Sequence, residues 1–406
     1  MTSLKRCVFV LFVAMLVWPA VRSQAVQDQV AAEALAGFTN ESNGMVDQAT
    51  FDADREKFEE RDDIAKGLGP VYNAQSCAEC HQNPVTGSSS QVTVMRAGHR
   101  DASGVFFEAP GGSLINDRAI HYSLQERVSS EEDVRTFRSS LSTLGDGYVE
   151  CIDDATLIGL AASQARDSNG VIAGQVIRVP MLEAPGQMRV GRFGWKNQHA
   201  SLLSFSADAY LNEIGITNRL LPRENTSLGR SVAAYDGVAD PEDTDNDIDA
   251  FARFMRATQV PPRNEALAAT SDARAGADLF NQIGCAICHV PAIITAPVGT
   301  VINGGTFTVP QALGGKTIHP FSDFLLHDVG TGDGIVQAGG PSTANKLRTP
   351  PLWGIHVRSR LMHDAATYTF DDAIRRHAGE AREVVARYNT LKKAKRAQLI
   401  AFLQSL

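Results

Sequence analysis

The pattern Cys-x-x-Cys-His occurs twice, as Cys77-Ala78-Glu79-Cys80-His81 and Cys285-Ala286-Ile287-Cys288-His289, and nothing else in the chain constrains the fold as strongly. This is the attachment signal for c-type haem. The two thiols add to the vinyl groups of the macrocycle, and the adjoining histidine lies under the iron as its proximal ligand. Two rival readings fail on context. A thioredoxin-like site needs one Cys-x-x-Cys opening a helix after a strand, without the fifth-position histidine. A zinc site built from both pairs would join residues more than two hundred positions apart, far from ribbon spacing.

Covalent haem and free thiols depend on compartment. A basic start with Lys5 and Arg6, an apolar run over 7–18 and small residues before position 23 describe a secretory signal peptide over 1–23. The apolar run is too short to span a bilayer, so no membrane anchor is expected after cleavage, and a periplasmic location follows. The formal charge of −8 becomes about −11 without Lys5, Arg6 and Arg22. That excludes nucleic acid as a partner and suits a basic electron donor. Of six cysteines, Cys7 leaves with the signal and four sit in the motifs. Cys151 remains, read as a small buried hydrophobe.

The second motif follows a helix that Ser271 can cap, running through Ala273, Ala277, Leu279 and Phe280 and stopped by Gly284. A terminal helix over 392–406 carries Leu399, Ile400, Phe402, Leu403 and Leu406 as its apolar stripe. This arrangement resembles a cytochrome c domain, in which first and last helices cross at a small residue such as Gly276. The expected organisation is therefore mainly α. An N-terminal haem domain with a strand-containing insert spans 24–262, and a C-terminal cytochrome c domain spans 263–406, with short β-hairpins and long loops between the haem units. A helix is expected over 51–60 and strands over 91–95, 171–179 and 187–193. Stretches 293–315 and 330–343 read as long loops. The acidic run 240–249 precedes a helix over 249–258, where carboxylates suit the helix dipole. Calcium is the alternative there, against which stands Ile248 at the place where an EF-type loop needs glycine.

Further segments carry a family resemblance: Gly-Leu-Gly-Pro at 67–70, Gly-Arg-Phe-Gly-Trp-Lys at 191–196, Ser-Asp-Phe-Leu-Leu-His-Asp at 322–328, Arg-Thr-Pro-Pro-Leu-Trp-Gly at 348–354, Met362-His363-Asp364, and 373–381. Together they resemble the di-haem oxidoreductase family, described as peroxidases and sometimes labelled thiol oxidoreductases. The C-terminal portion is more remotely similar to bacterial di-haem cytochrome c peroxidases and to the di-haem enzyme that matures a tryptophan-derived quinone.

The resemblance implies roles. His363-Asp364 matches a His-Asp element of the peroxidases, with Ala365 replacing the glycine that follows. His377 falls at the distal-ligand position of the second haem, where those peroxidases carry methionine. It implies ligation of the second iron by His289 and His377, with Met362 as the rival ligand. For the first iron, His81 is proximal and His99 is the candidate distal ligand. Glu108, Asp117, Arg118 and His121 are candidates for handling peroxide, with Glu108 as acid/base and Arg118 stabilising departing negative charge. Trp195 is a candidate conductor between the haems, and His327 and His319 are placed near the second.

The expected cofactors are two covalent haems c. The expected activity is reduction of hydrogen peroxide with electrons from a small periplasmic donor, a cytochrome c or cupredoxin. The alternative is a non-enzymatic electron-transfer cytochrome with both irons six-coordinate.

Overall fold

The helix Ser271–Ile283 starts where the Thr270 hydroxyl accepts the Ala273 N–H at 3.2 Å, and it ends at Gly284, which takes the left-handed conformation (φ 104°) that favours glycine. Sequence placed the cap one residue later, at Ser271. The helix Lys393–Leu403 crosses it, and Leu279, Phe280, Leu399, Phe402 and Leu403 fill the contact. Gly276 sits at the crossing: a Cβ there would lie 2.0 Å from the Gln398 carbonyl oxygen, closer than any side chain tolerates. Gly276→Ala should therefore force the helices apart and destabilise the protein by about 1–3 kcal/mol, read as a lowered Tm in thermal denaturation.

The computed structural model describes residues 31–406; the signal segment read over 1–23 lies outside the described residues. A second helix pair precedes the first motif. Gln48–Glu59, capped by Asp47, packs on Asp247–Ala257 through Phe51 and Phe58 against Phe254, at ring separations of 5.2 and 4.9 Å. Each motif then folds as one short 3-10 turn, Cys77–Glu79 and Cys285–Ile287. The histidine N–H donates back to the first cysteine carbonyl at 3.0 Å in both. No helix among the described residues is long and apolar enough to cross a membrane.

Helix outweighs strand, and the sheets are small. The largest is antiparallel: Thr93–Arg100 pairs Val134–Ser139 on one side (Thr93↔Ser139 to Gly98↔Val134), and Phe106–Glu108 and Leu114–Ile115 on the other. Arg178–Pro180 and Met188–Val190 make a hairpin. Sequence missed the helices Asp154–Asp167 and Leu202–Ala209 and the π-turn Tyr210–Ile214. Of the expected long loops, 293–315 carries the hairpin Val301–Ile302 with Phe307–Thr308.

Two main apolar cores result. One surrounds the C-terminal helix crossing. The other, centred on Phe51, Tyr148, Phe193 and Phe254, draws Ile293, Leu313, Phe324 and Trp353 across the expected boundary at 262. Residues 31–406 pack as one unit. Cys151 is fully buried in the larger core. The acidic run does not form an EF-type loop. Asp243 accepts the N–H groups of Asp247 and Ile248, Asp247 pairs with Lys57 at 3.3 Å, and Asp249 pairs with Arg219 at 2.6 Å.

Candidate active site

Two cavities of about 190 Å³ each open beside the two motifs. The cysteines stand at their rims. Burial pushes all four thiols up, Cys80 and Cys285 to about 12. All four are free, with no disulfide joining them.

In the second cavity His289 and His377 face each other with ring centres 6.5 Å apart. A metal ion bonded by an imidazole nitrogen on each side at about 2.0–2.1 Å separates two ring centres by roughly 6 Å. The other nitrogens are already engaged: Nδ1 of His289 lies 3.0 Å from the Phe321 carbonyl oxygen, and Nδ1 of His377 2.8 Å from that of Ala373. Carbonyls only accept, so each Nδ1 carries the proton and each Nε2 keeps its lone pair. Burial holds both rings neutral, His289 down to about 4. Met362 also lines this cavity. His327 is buried at its edge between Asp323 (2.9 Å) and Glu380 (2.8 Å). Burial opposes its protonation, but the two carboxylates prevail and hold it charged. His319 is exposed and pairs with Glu33.

The first cavity differs. His81 lines it, pushed down to about 4 by burial; its ring is enclosed beside Leu141 and Ser88 with Nδ1 outside hydrogen-bond geometry. Among the described residues lining this cavity it is the one histidine. The wall instead presents Arg96, Asp208 and Glu213. Burial raises both carboxyls, but they end apart. Asp208 faces His199 Nε2 at 3.2 Å and accepts from Asn212, and these hold it below the usual carboxylate range. Glu213 stays raised, helped by the Asp208 charge and opposed by Arg96 and by the Asn73 amide at 2.8 Å. Arg96 acts on both, and its Nε is buried without a partner.

Trp195 and Arg348 line both cavities. The Trp195 indole donates to the Ser139 carbonyl at 2.9 Å and stands edge-on to His363 at 6.0 Å. Burial lowers the Arg348 guanidinium to about 10, Asp146 offsets part of this, and its Nε is unpartnered. Arg358, lining the second cavity, is likewise lowered to about 10 by burial. Buried, underused guanidinium groups suit an anionic cofactor edge, and together with the paired imidazoles and rim cysteines they fit haem.

The model of the family described as "Di-haem oxidoreductase, putative peroxidase" matches residues 115–406. The chain belongs to the di-haem oxidoreductase family. The match begins after the first motif, whereas the resemblance read from sequence extends back to residue 67. No curated protein matches the chain. Among solved structures, it is similar to hydrazine synthase of Kuenenia stuttgartiensis (14% identity, 100% of each chain, TM-score 0.43). A MauG-like protein associated with microbial copper homeostasis shows 15% identity over 93% of each chain, TM-score 0.40. The diheme peroxidase BthA from Burkholderia thailandensis E264 shows 15% identity over 89% of this chain and 86% of its own, TM-score 0.40. At these values nothing is carried from them to this oxidoreductase.

Several candidate residues of this di-haem oxidoreductase stand elsewhere than sequence placed them. His99 points away from the first cavity: Val92, Val94 and Arg96 line it from one face of their strand segment, and His99 lies on the opposite face, stacked on Phe107 and 3.2 Å from Glu132. Glu108 is exposed in a shallow groove with Val336 and Gln337. Arg118 pairs with Glu79 at 3.0 Å on the outer side of the motif, and no lining position falls to it. Asp117 is exposed, with its N–H donated to Asn73, and His121 is held by Ser123 and stacked on Tyr235. The residue types expected for the first cavity, a carboxyl and an arginine, are present there as Glu213, Asp208 and Arg96. Their signal was faint: two acids inside the apolar run 202–216, and an arginine in phase with Val92 and Val94.

Proposed function

We propose that this oxidoreductase reduces hydrogen peroxide in the periplasm, taking electrons one at a time from a small soluble donor, a cytochrome c or cupredoxin. The carrying observation is the asymmetry of the cavities. Two neutral imidazoles oppose each other in one; the other holds a single imidazole, His81, with Arg96, Arg138 and Arg348 and the carboxyls Asp146, Asp208 and Glu213, of which Asp208 is held low and the other two are raised by burial.

Cys77, Cys80 and His81 would hold one haem, and Cys285, Cys288, His289 and His377 the other; bound there, haem would supply iron that exchanges single electrons. The chain's own groups handle the protons. Asp208, kept ionised beside His199, accepts a proton from the bound peroxide. Glu213, whose carboxyl burial raises above its ordinary range, donates one to the departing oxygen. The Arg96 guanidinium stabilises the negative charge that develops between them. Each peroxide takes two electrons and two protons and leaves as two waters. Trp195, which lines both cavities, is placed to pass an electron from the second haem to the first. The acidic surface favours a basic donor.

The test is turnover: the haem-loaded protein with a reduced basic cytochrome c should oxidise two donor molecules per peroxide consumed. A protein that exchanges electrons with the donor but consumes no peroxide is an electron carrier, and the reading fails.

A further inference from the structure

At the edge of the second cavity His327 bridges two acids. Its Nε2 lies 2.9 Å from Asp323 Oδ2, and its Nδ1 lies 2.8 Å from Glu380 Oε2. Carboxylates only accept, so both ring nitrogens carry protons and the ring is a cation between two anions. Among the described residues no other cation pairs with Asp323 or Glu380.

The two acids reach opposite sides of the second iron site. On one side the Gln164 amide donates to Asp323 at 2.6 Å and to the Ile287 carbonyl at 2.8 Å, inside the motif that carries His289. On the other side Glu380 stands just beyond His377 in the chain. Its Oε1 accepts the Asp328 N–H and its Oε2 the Ala173 N–H, both at 2.9 Å. The backbone of the same segment is paired as well: Ala378 N–H donates to the Val329 carbonyl at 2.7 Å, and Glu380 N–H to that of Asp328 at 2.9 Å. Gly379 permits this close pass, since a Cβ on it would lie 2.2 Å from the Asp328 carbonyl oxygen. Hydrogen bonds therefore run without a break from Ile287 through Gln164, Asp323 and His327 to Glu380. They join the turn bearing one imidazole to the segment just after the other. We propose that His327, bridging Asp323 and Glu380, is a positioning residue that keeps His377 on the second iron.

Burial alone would leave His327 neutral, but the two carboxylates outweigh it and hold the ring protonated. Removing one member of a buried ion group leaves the others uncompensated. Without the imidazolium, Asp323 and Glu380 would face each other as like charges. Asp323 is fully buried and Glu380 is not, so Glu380 would swing outward and carry residues 378–381 with it. His289 would stay, because its own N–H is tied to the Cys285 carbonyl at 3.0 Å within the motif turn. The distal imidazole takes the displacement. Groups that hold a metal ligand from behind commonly change metal binding 10–100-fold.

This inference rests on His377 being the ligand proposed above. The experiment uses the oxidised, haem-loaded full chain and reads the high-spin share of the second haem by spin resonance, with no peroxide present. His327→Gln leaves two facing carboxylates, and Glu380→Ala removes the tether. Each should raise the ratio of high-spin to low-spin second haem at least tenfold, with the first haem unchanged. In the double variant His327→Gln/Glu380→Gln the repulsion is gone, and the ratio should return to within threefold of wild type. A wild-type ratio in either single variant overturns the proposal. So does a double variant as open as His327→Gln, which would make the loss one of packing alone. Should His327→Gln fail to fold, Glu380→Ala and the double variant decide between the same outcomes. His377→Ala separates the two readings. A second haem unchanged there defeats the ligand assignment; one opened there but closed in these variants defeats only the role of His327.

Discussion

Replacing His377 by alanine is expected to convert the second haem from low-spin to high-spin while leaving the first unchanged. The ring faces His289 at 6.5 Å between centres, and both Nδ1 atoms are tied to carbonyls. No other imidazole shares that geometry with His289, so the alanine variant leaves one axial position open. The fold should survive. His377 follows the end of the helix Phe370–Arg375, and its backbone N–H bond to Ile374 is independent of the side chain. His377→Met provides the control: it should restore a low-spin iron at a higher potential, within the roughly 0.8 V span that axial ligands cover. A second haem whose absorption and spin-resonance spectra are the same in the alanine variant would exclude His377 as a ligand and return attention to Met362.

Replacing Glu213 by glutamine should lower the rate of peroxide consumption by about 10²–10⁴-fold, the usual worth of a placed acid. The amide keeps the size of the side chain and can still meet Asn73, so both resting haem spectra should match the wild type. The pH profile supplies the sharper reading. Burial raises the Glu213 carboxyl above its ordinary range, with the Asp208 charge adding to it. Activity that requires its proton is present below that raised pKa and lost as pH rises through it. The glutamine variant should lose this alkaline limb, and Asp208→Asn should instead remove the acid limb, since His199 holds Asp208 ionised to lower pH. Unchanged turnover in Glu213→Gln would mean that the proton comes from elsewhere.

What could be read from sequence was what lies close along the chain or repeats with a period. The motifs, the Gly284 stop and the Gly276 crossing depend on local spacing and one small residue, and the structure places all of them as read, with the helix cap shifted by one position. The pairing of His289 with His377 came through resemblance, not spacing. The wall of the first cavity was beyond such reading because it is assembled from separate elements. Arg96 comes from a strand, and Asp208 and Glu213 come from a helix and π-turn more than a hundred residues later. Choosing Glu108, Arg118 and His99 gave weight to nearness in sequence to the first motif, while the pleat turns His99 to the other face of the sheet. The acidic run was legible as well: Asp243 accepts the first N–H groups of the helix Asp247–Ala257, and Asp247 and Asp249 in its first turn pair with Lys57 and Arg219.

In the proposed enzyme one iron is closed by two imidazoles and the other carries one. Electron spin resonance on the oxidised, haem-loaded protein, repeated after adding one electron per molecule, tests it most directly. One low-spin and one high-spin ferric signal are expected, with the high-spin species alone altered by peroxide. Two low-spin signals in the oxidised protein, with no high-spin species appearing after one-electron reduction, would contradict it.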